Sequence, residues 1–165
     1  MKAAPANFTW PKPDDVSERK ICADVINHHC HIVTIPEDSE GPTYSFSIGL
    51  YLNFRHPEII IFGLSQRVAG TAINDICSRV EKGSRFQAGQ ETDELFIGCK
   101  VRFVSVDPKN YREYLGCARW FYRSLNDNFP VLQAVWTDKL GKFPWESNSS
   151  PQTAKFQPVL NSAHR

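Results

Sequence analysis

The run Glu58-Ile-Ile-Ile-Phe-Gly-Leu64 constrains the fold of this chain more than any other segment. Its apolar part, residues 59–64, is the longest such run in the 165 residues. It falls far short of the roughly 20 residues a membrane span needs. Three consecutive β-branched residues and no polar alternation suit a strand buried on both faces, and such a strand must be covered from both sides. Just upstream, Tyr44-Ser-Phe-Ser-Ile-Gly-Leu50 alternates, with Tyr44, Phe46 and Ile48 on one face and Ser45, Ser47 and Gly49 on the other.

The remaining elements assemble around this pair. Residues 1–14 form a proline-punctuated arm, and Val16, Ile21, Cys22, Val25 and Ile26 then recur with helical spacing behind an acidic pair. His28-His-Cys-His-Ile-Val-Thr-Ile35 predicts a strand stopped by Pro36, followed by an acidic turn over 37–42. Ser65 predicts an N-cap for a helix whose apolar face carries Val68, Ala69, Ala72, Ile73, Ile76, Cys77 and Val80, with Gly83 as its stop. After a polar loop over 83–93, residues 95–106 predict one strand or two short ones. Asp107-Pro108 opens a second helix running to about Asn126, and residues 131–136 form a last strand. Three sequential strands before the long helix imply a mainly antiparallel sheet with two or three packed helices. The expected architecture is a single α+β domain over 15–146, with a polar tail over 147–165 that is partly docked.

Charge is nearly balanced, 19 basic against 18 acidic residues for a net +1, which argues against a polyanion binder that works by bulk charge. The average hides local imbalance. Acidic residues concentrate at 14–18, 37–40 and 91–94, and cations at 109–123. The five cysteines, Cys22, Cys30, Cys77, Cys99 and Cys117, are widely spaced, and no C-x-x-C occurs. The first residues lack an apolar signal-peptide core, so the expectation is a cytoplasmic protein with reduced thiols and no membrane association. No Walker loop, G-x-G-x-x-G, H-E-x-x-H or G-x-S-x-G is present, which disfavours the nucleotide-hydrolysing, Rossmann, zinc-protease and α/β-hydrolase readings.

Residues 36–64 also carry a family resemblance. The aromatic-led strand ending in Gly49-Leu50, the His56-Pro-Glu58 loop and the apolar strand ending in Gly63-Leu64 resemble the bacterial family catalogued as domain of unknown function forty-two sixty-two. Val101-Arg-Phe-Val-Ser-Val106, Tyr111-Arg-Glu-Tyr114, Trp120-Phe-Tyr122, Pro130-Val-Leu-Gln133, and Val135-Trp136 through Phe143-Pro-Trp145 extend the likeness to about residues 20–160. It departs at His28 to His31. The resemblance implies no activity, cofactor or site, because the family has none established.

Candidate chemistry therefore comes from the residues. His28, His29, Cys30 and His31 are the conspicuous ligand-type cluster. On a strand they divide two and two between opposite faces, so each face lacks two of the four ligands a structural zinc takes, and no metal site is assigned. Cys77 sits on an apolar helix face, where a small hydrophobe is the ordinary reading. Ser45 and Ser47 with Gly49 offer a small polar surface that a ligand or another backbone can approach, the alternative being the solvated face of an edge strand. His56 and Glu58 are candidate base and orienter in the adjoining loop. On a continuous helix at 100° per residue, Lys109, Arg112, Arg119 and Arg123 fall within a stripe of roughly 80°, with Trp120 flanking it. That stripe is either a solvated face or an anion site in which arginine pairs with phosphate or carboxylate and Trp120 stacks on a ring.

The leading expectation is a soluble binder of, or enzyme acting on, a small anionic or nucleotide-like ligand, with Ser45, Ser47, His56, Arg112, Arg119 and Trp120 around one pocket. That grouping requires the Ser45–Ser47 face and the cationic stripe to share one side of the molecule. The alternatives are a protein-interaction module of immunity or antitoxin type, using a patch around Trp10, Trp136 or Trp145, and a flavin-binding split-barrel oxidoreductase. The cofactor is left open.

Overall fold

The computed structural model describes residues 2–164. Helix α1 (Val16–His28) starts where Asp15 caps it: the Asp15 carboxylate accepts from the Glu18 N–H at 2.8 Å, and Glu18 in turn accepts from the Asp14 N–H at 2.6 Å. Its buried residues are Ile21 and Val25. Strands β1 (His31–Ile35) and β2 (Tyr44–Ile48) follow, then the single-turn helix α2 (Leu50–Phe54) and strand β3 (Glu58–Phe62). Helix α3 (Gln66–Glu81) has Ser65 as its N-cap and buries Ala69, Ala72, Ile73, Ile76 and Val80. Hairpin β4 (Glu91–Phe96) and β5 (Cys99–Ser105), helices α4 (Tyr111–Tyr114) and α5 (Gly116–Phe121), strand β6 (Val131–Trp136) and helix α6 (Pro151–Phe156) complete the order.

The six strands form one sheet in the order β1-β2-β3-β6-β5-β4, antiparallel except where β3 runs parallel to β6. Strand β3, apolar from Ile59 onward, thus lies in the middle of the sheet with every residue buried. The fold is a single α+β domain, as the sequence predicts. One face of the sheet presents Phe46, Ile48, Ile60 and Phe62 to α1, α4 and α5, where Tyr111, Leu115, Phe121 and Tyr122 pack. The other face presents Ile59, Ile61, Phe103 and Leu132 to α3. Packing on both sides is what a fully apolar central strand requires.

Three local readings change. The strand begins at His31, not His28, because α1 continues to His28 and His29 caps it in the left-handed conformation (φ 63°). The two-and-two division of the histidine cluster therefore does not arise. The helix expected over 107–126 is broken: Leu115 leaves helical geometry (φ −121°, ψ 34°) and separates α4 from α5, with short 3-10 turns before and after. Gly116 at the break lowers the cost of interrupting the helix there. Leu50, placed by the sequence at the end of the alternating strand, instead opens one helical turn over residues 50–54, between Gly49 (φ 119°) and Arg55 (φ 55°).

The C-terminal segment is tied into the sheet by side-chain amides. Gln157 accepts from the Trp136 N–H at 3.0 Å and donates to the Trp136 carbonyl at 2.9 Å. Gln133 donates to the Pro158 carbonyl and accepts from the Leu160 N–H, each at 2.9 Å. Gly63 makes this docking possible. A Cβ there would stand 2.7 Å from the Phe156 carbonyl oxygen, and its φ of +74° already disfavours a side chain. Gly63→Ala is expected to cost about 2 kcal/mol, against ~1 kcal/mol for Gly98→Ala, which shares the left-handed strain (φ +75°) in open space. Thermal unfolding of both variants measures the difference, and equal losses would show that the Phe156 contact contributes nothing.

Candidate functional site

The polar residues read from the sequence fall into two separate places. The first is a buried node at the start of β3. The Glu58 carboxylate accepts from Ser47 Oγ and Tyr122 Oη at 2.5 Å each, from the Gly49 N–H at 2.9 Å and from the Tyr51 N–H at 3.0 Å. Ser47 Oγ also accepts from the Ile59 N–H at 2.9 Å, so the serine fastens β2 to β3 through both its proton and its lone pair. Tyr122 Oη accepts from the Gly49 and Leu52 N–H groups at 3.2 and 3.3 Å. Burial raises the Glu58 pKa, while these donors act to lower it. Glu58, Ser47 and Tyr122 are fully enclosed. The node therefore holds the β2–α2 turn in place and presents no reactive group to solvent.

Gly49 explains the local geometry. A Cβ there would come within 2.6 Å of the His29 carbonyl, so what closely approaches the Ser45–Gly49 strand is another stretch of backbone, not a ligand. Ser45 stands opposite Ile61 in the register, on the face covered by α3, and shares a 2.8 Å hydrogen bond with Thr34. β2 is an inner strand with both serines completely buried, so the edge-strand alternative does not hold either. His56 is enclosed too. Its Nδ1–H donates to the Pro57 carbonyl at 2.7 Å and its Nε2 accepts from the Phe86 N–H at 3.0 Å. Both ring nitrogens are committed to backbone, so His56 and Glu58 form no base–orienter pair.

The second place is on the outside of α5. Arg119 and Asp127 form a two-pronged pair, Nε to Oδ1 at 2.8 Å and Nη2 to Oδ2 at 2.9 Å. Around this pair an open cavity of about 450 Å³ is lined by Gly116, Trp120, Arg123 and Asn126 as well. Arg123 is exposed, and no ion pair or side-chain hydrogen bond engages its guanidinium among the described residues. Asn126 (φ 49°) and Asp127 (φ 61°) are consecutive left-handed residues, a conformation Asn and Asp tolerate better than other side chains. That turn carries Asp127 back to Arg119 and forms one wall of the cavity.

The six residues grouped from the sequence do not share a pocket. Ser45, Ser47 and His56 are interior, whereas Arg119 and Trp120 line the α5 cavity on the opposite side of the sheet from α3. Arg112, on α4 beyond the break at Leu115, lies outside that cavity, and Lys109 binds Ser162 at 3.1 Å. The single cationic stripe presumed a continuous helix, and the break removes it. Asn126 and Asp127 escaped the sequence reading, although Asn126-Asp-Asn128 is itself a turn signal.

The histidine cluster is dispersed. His29 Nδ1 meets Glu81 at 3.0 Å and His31 Nδ1 meets Asp24 at 2.7 Å, while Cys30 contacts Cys77. Among the described residues, no three or more His, Cys, Asp or Glu side chains converge to hold a metal ion. The tryptophans placed on a contact patch in the interaction-module reading are engaged within the fold. Trp136 Nε1 donates to the Phe62 carbonyl at 2.9 Å, and Trp145 stacks on Phe143 with centroids 4.9 Å apart. Trp10 remains about half exposed, edge-on to Phe8 and Phe121. No helix among the described residues is long and apolar enough to cross a membrane.

Comparison with known proteins adds a family match. The family model described as Domain of unknown function (DUF4262) matches residues 24–150, a span that includes the buried node and the α5 cavity. No curated protein and no solved structure matches the chain.

Proposed function

This chain belongs to the DUF4262 family, and we propose that it binds a small phosphate- or carboxylate-bearing ligand in the cavity formed by Arg119, Trp120, Arg123 and Asp127. One observation carries this reading: the unpartnered Arg123 guanidinium and the Trp120 side chain line the same open cavity. Guanidinium forks match the geometry of phosphate and carboxylate oxygens, and an indole face accepts a planar ring. Asp127 holds Arg119 by both prongs. Arg119 therefore contributes a fixed wall, and Arg123 supplies the free charge. Nucleotide-like anions, which pair a charged group with a planar base, fit both components. No catalytic step is assigned, because His56 and Glu58 are consumed by the fold.

Titration calorimetry with inorganic phosphate, AMP and ADP tests the reading. One equivalent of AMP or ADP is expected to bind more tightly than phosphate. Arg123→Ala is expected to weaken every anion by about tenfold or more, the loss of one charge-assisted contact. Trp120→Ala should remove the preference for the nucleotides over phosphate. Saturable anion binding that Arg123→Ala leaves unchanged places the site elsewhere, and no binding at millimolar concentration removes the proposal.

A further inference from the structure

The strongest unassigned feature lies on the α3 side of the sheet, well apart from the α5 cavity. Cys30, in the link between α1 and β1, and Cys77, on α3, are 47 positions apart in sequence, yet their sulfur atoms stand 2.8 Å apart. That is inside the van der Waals contact of two sulfurs and not far from the roughly 2.05 Å of a disulfide bond. Both side chains pack against the core cluster of Ile59, Ile73 and Ile76. Both also line a surface cavity of about 170 Å³ with His29, Asn74 and Glu81, so a small reagent has a path to the pair. Cys22, Cys99 and Cys117 have no cysteine partner among the described residues.

We propose that Cys30 and Cys77 are a redox-active thiol pair that closes to an intrachain disulfide on reaction with a low-molecular-weight disulfide. The Cys77 thiolate attacks one sulfur of the oxidant, forming a mixed disulfide and releasing one small thiolate. The Cys30 thiolate then attacks the Cys77 sulfur, forming the Cys30–Cys77 bond and expelling the second small thiolate. The two protein thiols lose two electrons and two protons in total, the oxidant takes up the electrons, and the released thiolates equilibrate with those protons. The exchange opens at Cys77 because the hydrogen bond between the two thiols and the burial of Cys30 push the Cys30 thiol well above its usual range, which disfavours Cys30 as the initial thiolate. Closure ties the α1–β1 link at the sheet edge to α3. It constrains a long loop in the unfolded chain, which is where a disulfide acts most strongly.

The test equilibrates the full chain with graded ratios of reduced to oxidised glutathione, quenches with an alkylating reagent and maps the peptides. The expected result is a Cys30–Cys77 bridge with loss of two hydrogens, while Cys22, Cys99 and Cys117 are alkylated. The bridged protein is expected to melt about 5–10 °C higher than the reduced one. Cys30→Ser, confirmed folded by circular dichroism, is expected to stop at a glutathione adduct on Cys77. Full alkylation of both cysteines in the most oxidising mixture, or a wild-type glutathione adduct that never resolves to the bridge, overturns the proposal.

Discussion

Glu58→Ala is expected to destabilise the fold by about 3–5 kcal/mol, the largest effect of any single polar substitution in this chain. The carboxylate is fully enclosed and accepts four hydrogen bonds, two from hydroxyls and two from backbone N–H groups. Alanine leaves the Tyr51 N–H without an acceptor in a site water does not reach. Ser47 and Tyr122 lose the acceptor for their protons, and the Gly49 N–H keeps only its 3.2 Å contact to Tyr122. Unsatisfied buried donors cost about 1–3 kcal/mol each, and partial collapse of the site recovers some of that. With a urea dependence of roughly 2 kcal/mol per molar, the unfolding midpoint falls by about 2 M. Glu58→Gln separates hydrogen bonding from charge. Its amide oxygen can retain Tyr122, Gly49 and Tyr51, and its NH₂ can donate to the Ser47 hydroxyl in place of the Oε2 contact. The expected loss is about 1 kcal/mol. A glutamine variant as unstable as the alanine one would mean that the charge, not the set of acceptors, holds the turn.

That node shows where sequence reasoning reached and where it stopped. The central strand was legible because apolar content and length alone decide a strand buried on both faces. Ser65, the acidic pair ahead of α1 and the apolar spacing of α3 were legible because caps and helical periodicity are local. What failed was nonlocal or depended on backbone continuity. Ser45 and Ser47 are indistinguishable in sequence from residues on a solvated strand face. Only the register against β1 and β3 and the position of α3 show that Thr34, Glu58 and the Ile59 N–H consume them. The Tyr122 hydroxyl reaches Glu58 across 64 positions, a distance no periodicity reports. The cationic stripe was an inference from an uninterrupted helix, and one buried leucine with nonhelical torsions cancelled it. Arg119 and Trp120 survived as neighbours because both lie on α5, on the same side of that break. The Cys30–Cys77 contact was invisible for the reason that hid Tyr122: it joins an interelement link to the middle of a helix.

His56 is expected to cost this fold stability as pH falls from 7 towards 4. In the folded state its ring is neutral by construction, since the Nδ1–H donates to Pro57 and Nε2 must remain an acceptor for the Phe86 N–H. A proton on Nε2 would oppose one donor to another in an enclosed site. Burial, with a smaller contribution from the nearby Arg85 cation, pushes its pKa down from 6.5 to about 4. The unfolded chain therefore binds this proton first. Stability from His56 is complete above about pH 6.5 and is lost as pH falls towards 4, by about 3 kcal/mol in total. Glu58 acts in the opposite sense. Its folded pKa is raised, so its protonation on acidification favours the folded state and offsets part of the loss. The two contributions separate in a variant. His56→Gln keeps an amide oxygen to accept from Phe86 and has no proton to gain, but it loses the buried ring packed edge-on to Phe86 and is expected to be less stable than the wild type at pH 7. Its stability should then fall by about 3 kcal/mol less between pH 7 and pH 4, narrowing or reversing the gap. Urea unfolding at half-unit pH steps gives both curves, and the His56 ring resonances should show no titration above about pH 5. Parallel stability curves, or a ring that titrates near 6.5, would place the acid sensitivity of the protein on other groups.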